Sequence, residues 1–227
     1  MTKFEMHVHT AENDLYATIK AADIVRAYKN AGYSGLVITD HYFSLFYDWF
    51  KRELDGAEHN KIIDRWLKGF FAARSEGEKL GMTVLAGAEV RFDGTINDYL
   101  VYGLEPNDFY KLPLLNRLKD LNELLAVLPD YACVVQAHPF RNEMTVKDPT
   151  RLFGIEAYNA GTENYRNEMA RSFAEHYGKR MTSGSDLHNP DAIAKGGIYC
   201  KKIETASDLV SILRSGEYSL IEDGEIK

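Results

Sequence analysis

Five of the seven histidines in this chain lie in short polar motifs that follow apolar, strand-like stretches. The motifs are His7-Val8-His9, Asp40-His41, His138-Pro139 and Asp186-Leu187-His188. The acidic residues that accompany them along the chain are Asp14, Glu89 and Asp98. Neutral imidazoles and carboxylates are common ligands of divalent transition metals in proteins. The set therefore predicts a site for two or three divalent cations and, from it, a metal-dependent hydrolase.

The spacing within two of these motifs suits a shared cation. His7 and His9 are two residues apart, so in an extended chain both imidazoles lie on the same side. Asp186 and His188 have the same spacing and would also point the same way in an extended segment. Each pair can therefore present two ligand atoms to one metal ion.

Two residues next to these motifs are expected to assist them. Asp40 stands beside His41 and is expected to orient that imidazole from behind, as carboxylates beside metal-binding histidines commonly do. Arg141 follows His138 closely enough to donate to an oxygen of a bound phosphate. The alternative for Arg141 is an ordinary salt bridge at the surface.

The stretch from Tyr42 to Phe50 is dense in aromatic residues and begins directly after His41. Its rings can pack a helix onto the core. They can also stack on a ring of a substrate at the mouth of the site, with Trp49 and Tyr42 as the residues to test. The sequence leaves both alternatives open.

Apolar stretches typical of β-strands alternate with amphipathic stretches typical of helices. Strands are predicted at 4–9, 34–39, 82–90, 98–103, 132–137, 154–158, 180–183 and 198–203. Helices are predicted at 18–31, 45–80 with a break at 55–56, 113–128, 163–177 and 206–215. This alternation implies an α/β fold with a largely parallel sheet, either open or closed into a barrel. In a βα-barrel the C-terminal strand ends share one face, which would bring the polar motifs together.

Composition favours one domain over residues 1–227, with a helical, aromatic-rich segment at about 42–80. The chain has 227 residues, of which 45% are hydrophobic, enough for a single barrel. A net charge of −7 without a run of Lys or Arg argues against binding to long nucleic acid. Cys133 and Cys200 lack metal-binding spacing and are expected to be reduced. With no signal peptide or membrane span in the sequence, we expect a cytoplasmic enzyme without a membrane partner.

Taken in order, the motifs resemble those of the polymerase and histidinol phosphatase (PHP) superfamily. The shared features are His-x-His near the N-terminus, an Asp five residues on, Thr39-Asp40-His41, a Glu after the third strand, Ala137-His138-Pro139 and Gly184-Ser185-Asp186-x-His188. They span nearly the whole chain. The resemblance implies a small metal-dependent phosphoesterase with a distorted seven-stranded (βα)7 barrel similar to a TIM barrel. The barrel mouth would hold two to three cations, usually zinc, manganese or iron.

The resemblance also implies three groups of metal ligands. The groups are His7, His9, Glu89 and Asp186 for the first metal, Glu89 and His138 for the second, and Asp14, His41 and His188 for the third. Many relatives complete the second group with a histidine on the strand after the Glu, where this chain has Asp98. A carboxylate at that position favours harder cations such as manganese or iron.

The predicted reaction is hydrolysis of a small phosphomonoester or short phosphodiester, including a nucleotide, by a metal-bridging hydroxide. Arg141 would neutralise phosphoryl oxygens, and Asp186, His188 or a water held by them would protonate the leaving group. Several carboxylates in one cleft require cations, and the surplus positive charge suits an anionic substrate. The alternatives are an amidohydrolase-type metal hydrolase and a metal-bound regulatory module without catalysis.

Overall fold

The computed structural model describes residues 1–227 as a mixed α/β fold. Its strands are β1 (Thr2–Glu5), β2 (Tyr33–Ile38), β3 (His41–Tyr42), β4 (Thr83–Ala86), β5 (Ala88–Arg91), β6 (Asp98–Tyr102), β7 (Cys133–Gln136), β8 (Gly154–Asn159), β9 (Arg180–Gly184), β10 (Gly196–Cys200), β11 (Ser219–Glu222) and β12 (Glu225–Ile226). Its α-helices are α1 (Ala21–Asn30), α2 (Ser44–Trp49), α3 (Lys51–Leu54), α4 (His59–Trp66), α5 (Lys68–Leu80), α6 (Pro106–Phe109), α7 (Leu121–Val127), α8 (Asn164–His176) and α9 (Ala206–Ser215).

The strands form two six-stranded sheets, in the orders β12-β11-β10-β1-β2-β4 and β3-β5-β6-β7-β8-β9. The predicted α/β class is confirmed, but the predicted seven-stranded barrel is not, because the two sheets do not close into one ladder. A βα-barrel needs a parallel neighbour on both sides of every strand. Here β5, β6 and β7 pair antiparallel, and β1 pairs antiparallel with β10.

The single strand predicted at 82–90 is divided between the two sheets at Gly87. Strand β4 before it pairs with β2 in the first sheet, and β5 after it pairs with β3 and β6 in the second. A Cβ atom at residue 87 would lie 2.7 Å from Cγ1 of Val37 and 3.0 Å from the carbonyl oxygen of Val101. Only glycine leaves room for the chain to pass from one sheet to the other there.

The helix predicted at 113–128 is shorter in the structure. Leu115–Arg117 is a turn of 3₁₀ helix, and α7 begins only at Leu121. The side chain of Asp120 accepts hydrogen bonds from the backbone nitrogens of Asn122 (2.9 Å) and Glu123 (3.1 Å). Asp120 therefore caps a new helix, because it satisfies backbone donors that have no partner within the first turn.

Two hydrophobic clusters hold the fold together. The smaller one lies between the sheets and includes Phe4 and Val37 from the first sheet and Leu100 and Val135 from the second. The smaller cluster also includes Leu209 and Leu213 of α9, whereas the larger one packs other helices, among them α1, α4 and α5, onto the sheets. Cys133 and Cys200 are buried and unpaired. None of the helices combines the length and apolar character needed to cross a lipid bilayer.

Candidate metal centre

The predicted ligand motifs meet at the seam between the two sheets. The segment after β1 runs beside the segment after β9, where the nitrogen of Leu187 donates to the carbonyl of His7 (3.3 Å). The nitrogen of His9 donates in turn to the carbonyl of Leu187 (3.2 Å). Val8 and Leu187 thus form a parallel β-bridge. His7 and His9 flank Val8 in the sequence, and Asp186 and His188 flank Leu187. This pairing explains why two motifs that are far apart in sequence face the same space.

All nine residues predicted as ligands lie together in three overlapping groups. The groups are His7, His9, Glu89 and Asp186; Glu89, Asp98 and His138; and His9, Asp14, His41 and His188. Within each group, one ligand atom per residue lies within 4.8 Å of all the others. The groups match the three sets implied by the resemblance, with His9 as an additional member of the third. That these residues bind metal remains a prediction.

The first group is fully enclosed by protein. Nε2 of His9 lies 3.3 Å from Oε2 of Glu89 and 3.2 Å from Oδ1 of Asp186. Nε2 of His7 lies 3.4 Å from Oε1 of Glu89 and 3.5 Å from Oδ1 of Asp186. Two imidazoles and two carboxylates therefore surround one point, as a cation with four protein ligands requires.

The second group is the least free to bind a cation. Nε2 of His138 lies 3.0 Å from Oε1 of Glu89 and 3.8 Å from Oδ2 of Asp98. Both carboxylate oxygens of Asp98 also accept hydrogen bonds from Arg91, at 2.6 Å from Nε and 2.5 Å from Nη2. A cation at this position would share Asp98 with the arginine.

The third group is arranged around one oxygen of Asp14. Oδ2 of Asp14 lies 3.2 Å from Nε2 of His188, 3.4 Å from Nε2 of His41 and 3.9 Å from Nδ1 of His9. The other oxygen, Oδ1, accepts a hydrogen bond from the backbone nitrogen of Tyr16 at 2.7 Å. This bond orients the carboxylate so that Oδ2 faces the three imidazoles.

Buried ligand atoms without partners show that these residues fit divalent cations. Five such atoms that make no hydrogen bond within the protein are His7 Nε2, His9 Nε2, Asp14 Oδ2, Glu89 Oε2 and Asp186 Oδ1. A buried polar atom without a partner costs on the order of 1–3 kcal/mol. Because all five point into the same groups, bound cations would satisfy them together.

The carboxyls of Asp186 and Glu89 and the imidazole of His9 favour the ionisation states that bind cations. Burial opposes ionisation of Asp186 and Glu89, but the imidazole of His7 helps to hold the pKa of both carboxyls well below the usual range. Burial, with His41 and His188 nearby, lowers the pKa of His9 to about 3. Ionised carboxylates and a neutral imidazole are the forms that coordinate cations. For His7, His41 and His188, burial lowers the pKa but nearby carboxylates raise it by more, so these imidazoles would have to release a proton on binding a cation.

One buried carboxylate, Glu156 on β8, supports the centre although no motif includes it. Oε1 of Glu156 lies 2.8 Å from Nδ1 of His7 and fixes that ring with Nε2 towards the first group. Oε2 accepts hydrogen bonds from the backbone nitrogen of His138 and the side-chain amide of Asn159, both at 2.9 Å. The only sequence signal was a charged residue in an otherwise apolar strand.

Glu5 has a similar part behind the site. It is fully buried at the end of β1 and accepts hydrogen bonds from the backbone nitrogens of His7 (3.0 Å) and Ser185 (2.9 Å) and from the hydroxyl of Tyr28 (2.8 Å). It therefore ties the segment before His9 to the segment before Asp186. No motif in the sequence points to this residue.

The predicted role of Asp40 is wrong. Its carboxylate accepts hydrogen bonds from Thr10, at 2.6 Å from the backbone nitrogen and 2.9 Å from the hydroxyl, and from Nδ2 of Asn13 at 2.8 Å. The imidazole of His41 instead lies 2.8 Å from Oε2 of Glu89. Because the chain turns after β2, Asp40 faces the loop that carries Asp14 and holds that loop in place.

Two of the predicted ligands adopt a backbone conformation that is unusual for residues other than glycine. The φ angles of His138 and Asp186 are 26° and 48°. Such angles cost of the order of 1–3 kcal/mol and concentrate at functional sites. In both residues the turn directs the side chain back into the centre after a strand has ended.

Arg141 lies at the edge of the centre. Its Nη2 lies 2.5 Å from Oδ2 of Asp186 and 3.1 Å from Oδ1 of Asn159, while Nη1 makes no hydrogen bond within the protein. The arginine is 33% exposed. It is therefore paired with a predicted metal ligand and keeps one terminal nitrogen free.

The fold and the site together define a mixed α/β protein with a buried cluster of imidazoles and carboxylates at the seam of two sheets. A family model described as PHP-associated matches residues 164–218. No curated protein was found to match the chain. A solved structure described as PHP-like and another described as a putative metal-dependent phosphoesterase share the fold, and together with the family match they confirm the resemblance to the PHP superfamily.

Three solved structures illustrate this similarity. A two-domain protein from Bacteroides vulgatus, with a predicted PHP-like metal-dependent phosphoesterase, is 16% identical with a TM-score of 0.66 over 99% of this chain and 66% of its own. A protein from Bifidobacterium adolescentis described as a putative metal-dependent phosphoesterase is 15% identical with a TM-score of 0.54, covering 93% of this chain and 95% of its own. An amidohydrolase from Chromobacterium violaceum is 13% identical with a TM-score of 0.57, covering 84% and 89%. Identities this low show a shared fold.

Proposed function

We propose that this protein is a metal-dependent phosphoesterase that hydrolyses a small phosphomonoester or a short phosphodiester. The observation that carries the proposal is the convergence of five imidazoles and four carboxylates, in which buried ligand atoms of His7, His9, Asp14, Glu89 and Asp186 lack partners in the protein. The descriptions of the Bacteroides and Bifidobacterium proteins support the same activity. We propose two to three divalent cations, drawn from zinc, manganese and iron.

The nine residues of the three groups would hold these cations. Bound there, divalent cations would bring the pKa of a coordinated water near neutrality and draw charge from the phosphoryl oxygens. Glu89 belongs to two groups and would bridge the first and second positions. His9 belongs to the first and third groups and, as a neutral imidazole, would bind a cation of one of them through a single ring nitrogen.

Two arginines would bind the phosphoryl group from opposite sides of the centre. Arg141 forms an ion pair with Asp186, and Arg91 forms one with Asp98. Each is about one-third exposed, and in each the Nη1 nitrogen makes no hydrogen bond within the protein. Guanidinium groups held in this way can donate to phosphoryl oxygens as negative charge develops in the transition state. Their positions favour an anionic substrate over a neutral amide.

The proton for the leaving group would come from solvent at the mouth of the site. Nε2 of His188 faces Asp14, and Nδ1 lies 3.0 Å from the carbonyl oxygen of Asp186. Oδ1 of Asp186 faces His9, and Oδ2 accepts from Arg141. Each ring nitrogen of His188 and each carboxylate oxygen of Asp186 therefore faces another protein group rather than the position of a leaving group. We therefore propose that both act by binding metal and that Arg141 contacts the substrate directly.

The test combines metal analysis with turnover. Protein purified in the presence of zinc, manganese or iron is analysed for bound metal and assayed on a panel of phosphomonoesters and phosphodiesters. Asp186→Ala is expected to lose metal and at least 100-fold in kcat/KM, because it removes a ligand of the first group, whereas the exposed Asp130→Ala keeps both. If metal-loaded wild type hydrolyses no phosphoester, or if Asp186→Ala is as active as wild type, the proposal is overturned.

A second candidate is an amidohydrolase-type reaction at the same metals, which the similarity to the Chromobacterium amidohydrolase favours. Small amides assayed beside the phosphoesters distinguish the two activities. Bound metal without turnover of either class would instead support a metal-bound regulatory module.

A further inference from the structure

We propose that the leaving group of the substrate contains a planar ring and that Tyr16 and Trp49 bind this ring at the mouth of the metal centre. The inference rests on the proposed phosphoesterase function and adds the substrate class to it. It concerns side chains outside the three ligand groups.

Two large hydrophobic side chains are exposed beside the third group. Leu15 is 61% exposed and Tyr16 is 59% exposed, although both directly follow the buried Asp14. The backbone nitrogen of Tyr16 donates to Oδ1 of Asp14, so the loop that carries the two side chains is fixed to the centre. Single exposed hydrophobic residues are common, but an apolar patch held at the rim of a polar cleft is typical of a binding site.

A row of aromatic rings connects this patch to the ligands. The ring of Tyr16 lies 5.1 Å from that of Trp49 at an interplanar angle of 86°, and Trp49 lies 5.3 Å from Phe43 at 77°. Phe43 is buried and lies 4.6 Å from the imidazole of His41. Edge-to-face pairs of this kind hold their members rigid. The outermost pair, Tyr16 and Trp49, therefore offers a fixed aromatic surface next to the third group.

The same rings decide between the two alternatives left open for the aromatic stretch. Tyr42 and Phe46 are 3% and 2% exposed and pack in the larger hydrophobic cluster, so Tyr42 does not reach a substrate. Trp49 is half-buried and contacts Tyr16 across the chain. Most of the stretch therefore packs the core, and one ring of it reaches the mouth.

The charge beside the rings identifies the ligand as a phosphorylated ring rather than an apolar molecule. The guanidinium of Arg91 lies 5.8 Å from the centre of the Phe43 ring, and its Nη1 is free. An anion held by Arg91 and the cations would leave its substituent near the rings of Tyr16 and Trp49. The site thus pairs an anion position with an aromatic surface.

The test uses two phosphonates that differ only in the ring. Metal-loaded protein is titrated calorimetrically with phenylphosphonate and with methylphosphonate. Aromatic stacking contributes on the order of 1–3 kcal/mol per ring, so we expect wild type to bind phenylphosphonate at least about tenfold more tightly. Tyr16→Ala and Trp49→Ala should each lower the ratio of the affinity for phenylphosphonate to that for methylphosphonate. Tyr16→Phe and Trp49→Phe should keep most of this ratio. Tyr131→Ala is the matched control, because Tyr131 is 48% exposed but precedes β7 at the end remote from His138.

The proposal is overturned if wild type binds the two phosphonates equally, if it binds neither, or if both alanine variants keep the wild-type ratio. Loss of the ratio in the phenylalanine variants as well would show that the change acts on folding and not on stacking, and would also count against it. Phosphonates are not hydrolysed. If wild type prefers phenylphosphonate but hydrolyses no phosphoester, the result contradicts the proposed reaction and leaves the proposed ring-binding role of Tyr16 and Trp49 intact.

Discussion

The imidazole of His7 has one ring nitrogen for the metal position and one for Glu156. A buried carboxylate in this position keeps the ring in one tautomer and one orientation, and it makes the free nitrogen a better ligand. Residues such as Glu156 and Glu5 therefore determine the geometry of the centre without belonging to it.

Replacing Glu156 with Gln should weaken metal binding at the first position about 10- to 100-fold, because the amide does not supply the negative charge that His7 faces. Affinity is measured by competition with a chromophoric chelator. Glu168→Gln, on the exposed face of α8, serves as the control and should bind as wild type does. Unchanged affinity in Glu156→Gln would mean that His7 does not depend on this contact.

Asp98→Asn tests whether Asp98 is a ligand or only the partner of Arg91. If it completes the second group with Glu89 and His138, the variant should contain about one metal ion fewer per chain than wild type. Elemental analysis of both proteins after identical metal loading gives the number. If the variant binds as much metal as wild type but has a lower melting temperature, Asp98 is not a ligand and contributes only through its ion pair with Arg91.

At the scale of elements, the ends of strands and helices decide where the functional side chains lie. Gly87 lets the chain change sheets just before Glu89, and the positive φ of Asp186 turns the segment after β9 into the centre. Helix α7 begins late because Asp120 caps it. The strength of such a cap can be measured directly.

Asp120→Ala should lower the free energy of unfolding by about 1 kcal/mol, because two backbone nitrogens of the first turn of α7 lose their acceptor. Urea denaturation followed by circular dichroism measures the change. Asn122→Ala lies in the same turn but removes no cap, so its unfolding free energy should not fall. Equal losses in the two variants would show that the cap contributes nothing specific.

At the scale of the whole molecule, the metal centre joins parts of the chain that are distant in sequence. Its residues run from His7 to His188 and come from both sheets. Without cations, several buried carboxylates and imidazoles would face one another with unpaired atoms. Cations that bind only the folded chain should therefore stabilise the whole structure.

Removing metal with a chelator should lower the melting temperature by about 5–10 °C. One site at a free metal concentration 100 times its Kd contributes about 2.7 kcal/mol, and a chain of this length shifts by roughly 2–4 °C per kcal/mol. Differential scanning calorimetry before removal, after removal and after metal is restored measures the shift. Asp186→Ala should respond less to metal. An equal shift in this variant would place the stabilising ions elsewhere.

The sequence by itself predicted the ligand types of the centre, because residue type and short spacing indicate which side chains can share a cation. His7-Val8-His9 and Asp186-Leu187-His188 predict ligand pairs without knowledge of the fold, and the alternation of strands and helices predicts the α/β class. The sequence did not predict the roles of Glu156 and Glu5 or the contacts of Asp40. A single carboxylate in or next to a strand carries no local signal of which group it will contact.

Only the tertiary structure decided how the strands pair and therefore which atoms of each ligand meet. Periodicity reports whether a residue is buried, but it does not distinguish parallel from antiparallel neighbours. The alternation therefore left an open sheet and a barrel both possible, and the barrel implied by the family resemblance was not found, because the strands form two sheets. Contacts such as those between Glu156 and His7, or between Tyr16 and Trp49, join residues that are tens to more than a hundred positions apart. They arise from packing, and no spacing rule in the sequence encodes them. The sequence therefore indicated what the centre can bind. The packing of the sheets and loops determined the geometry of the centre and which exposed side chains, such as Tyr16 and Trp49, lie beside it.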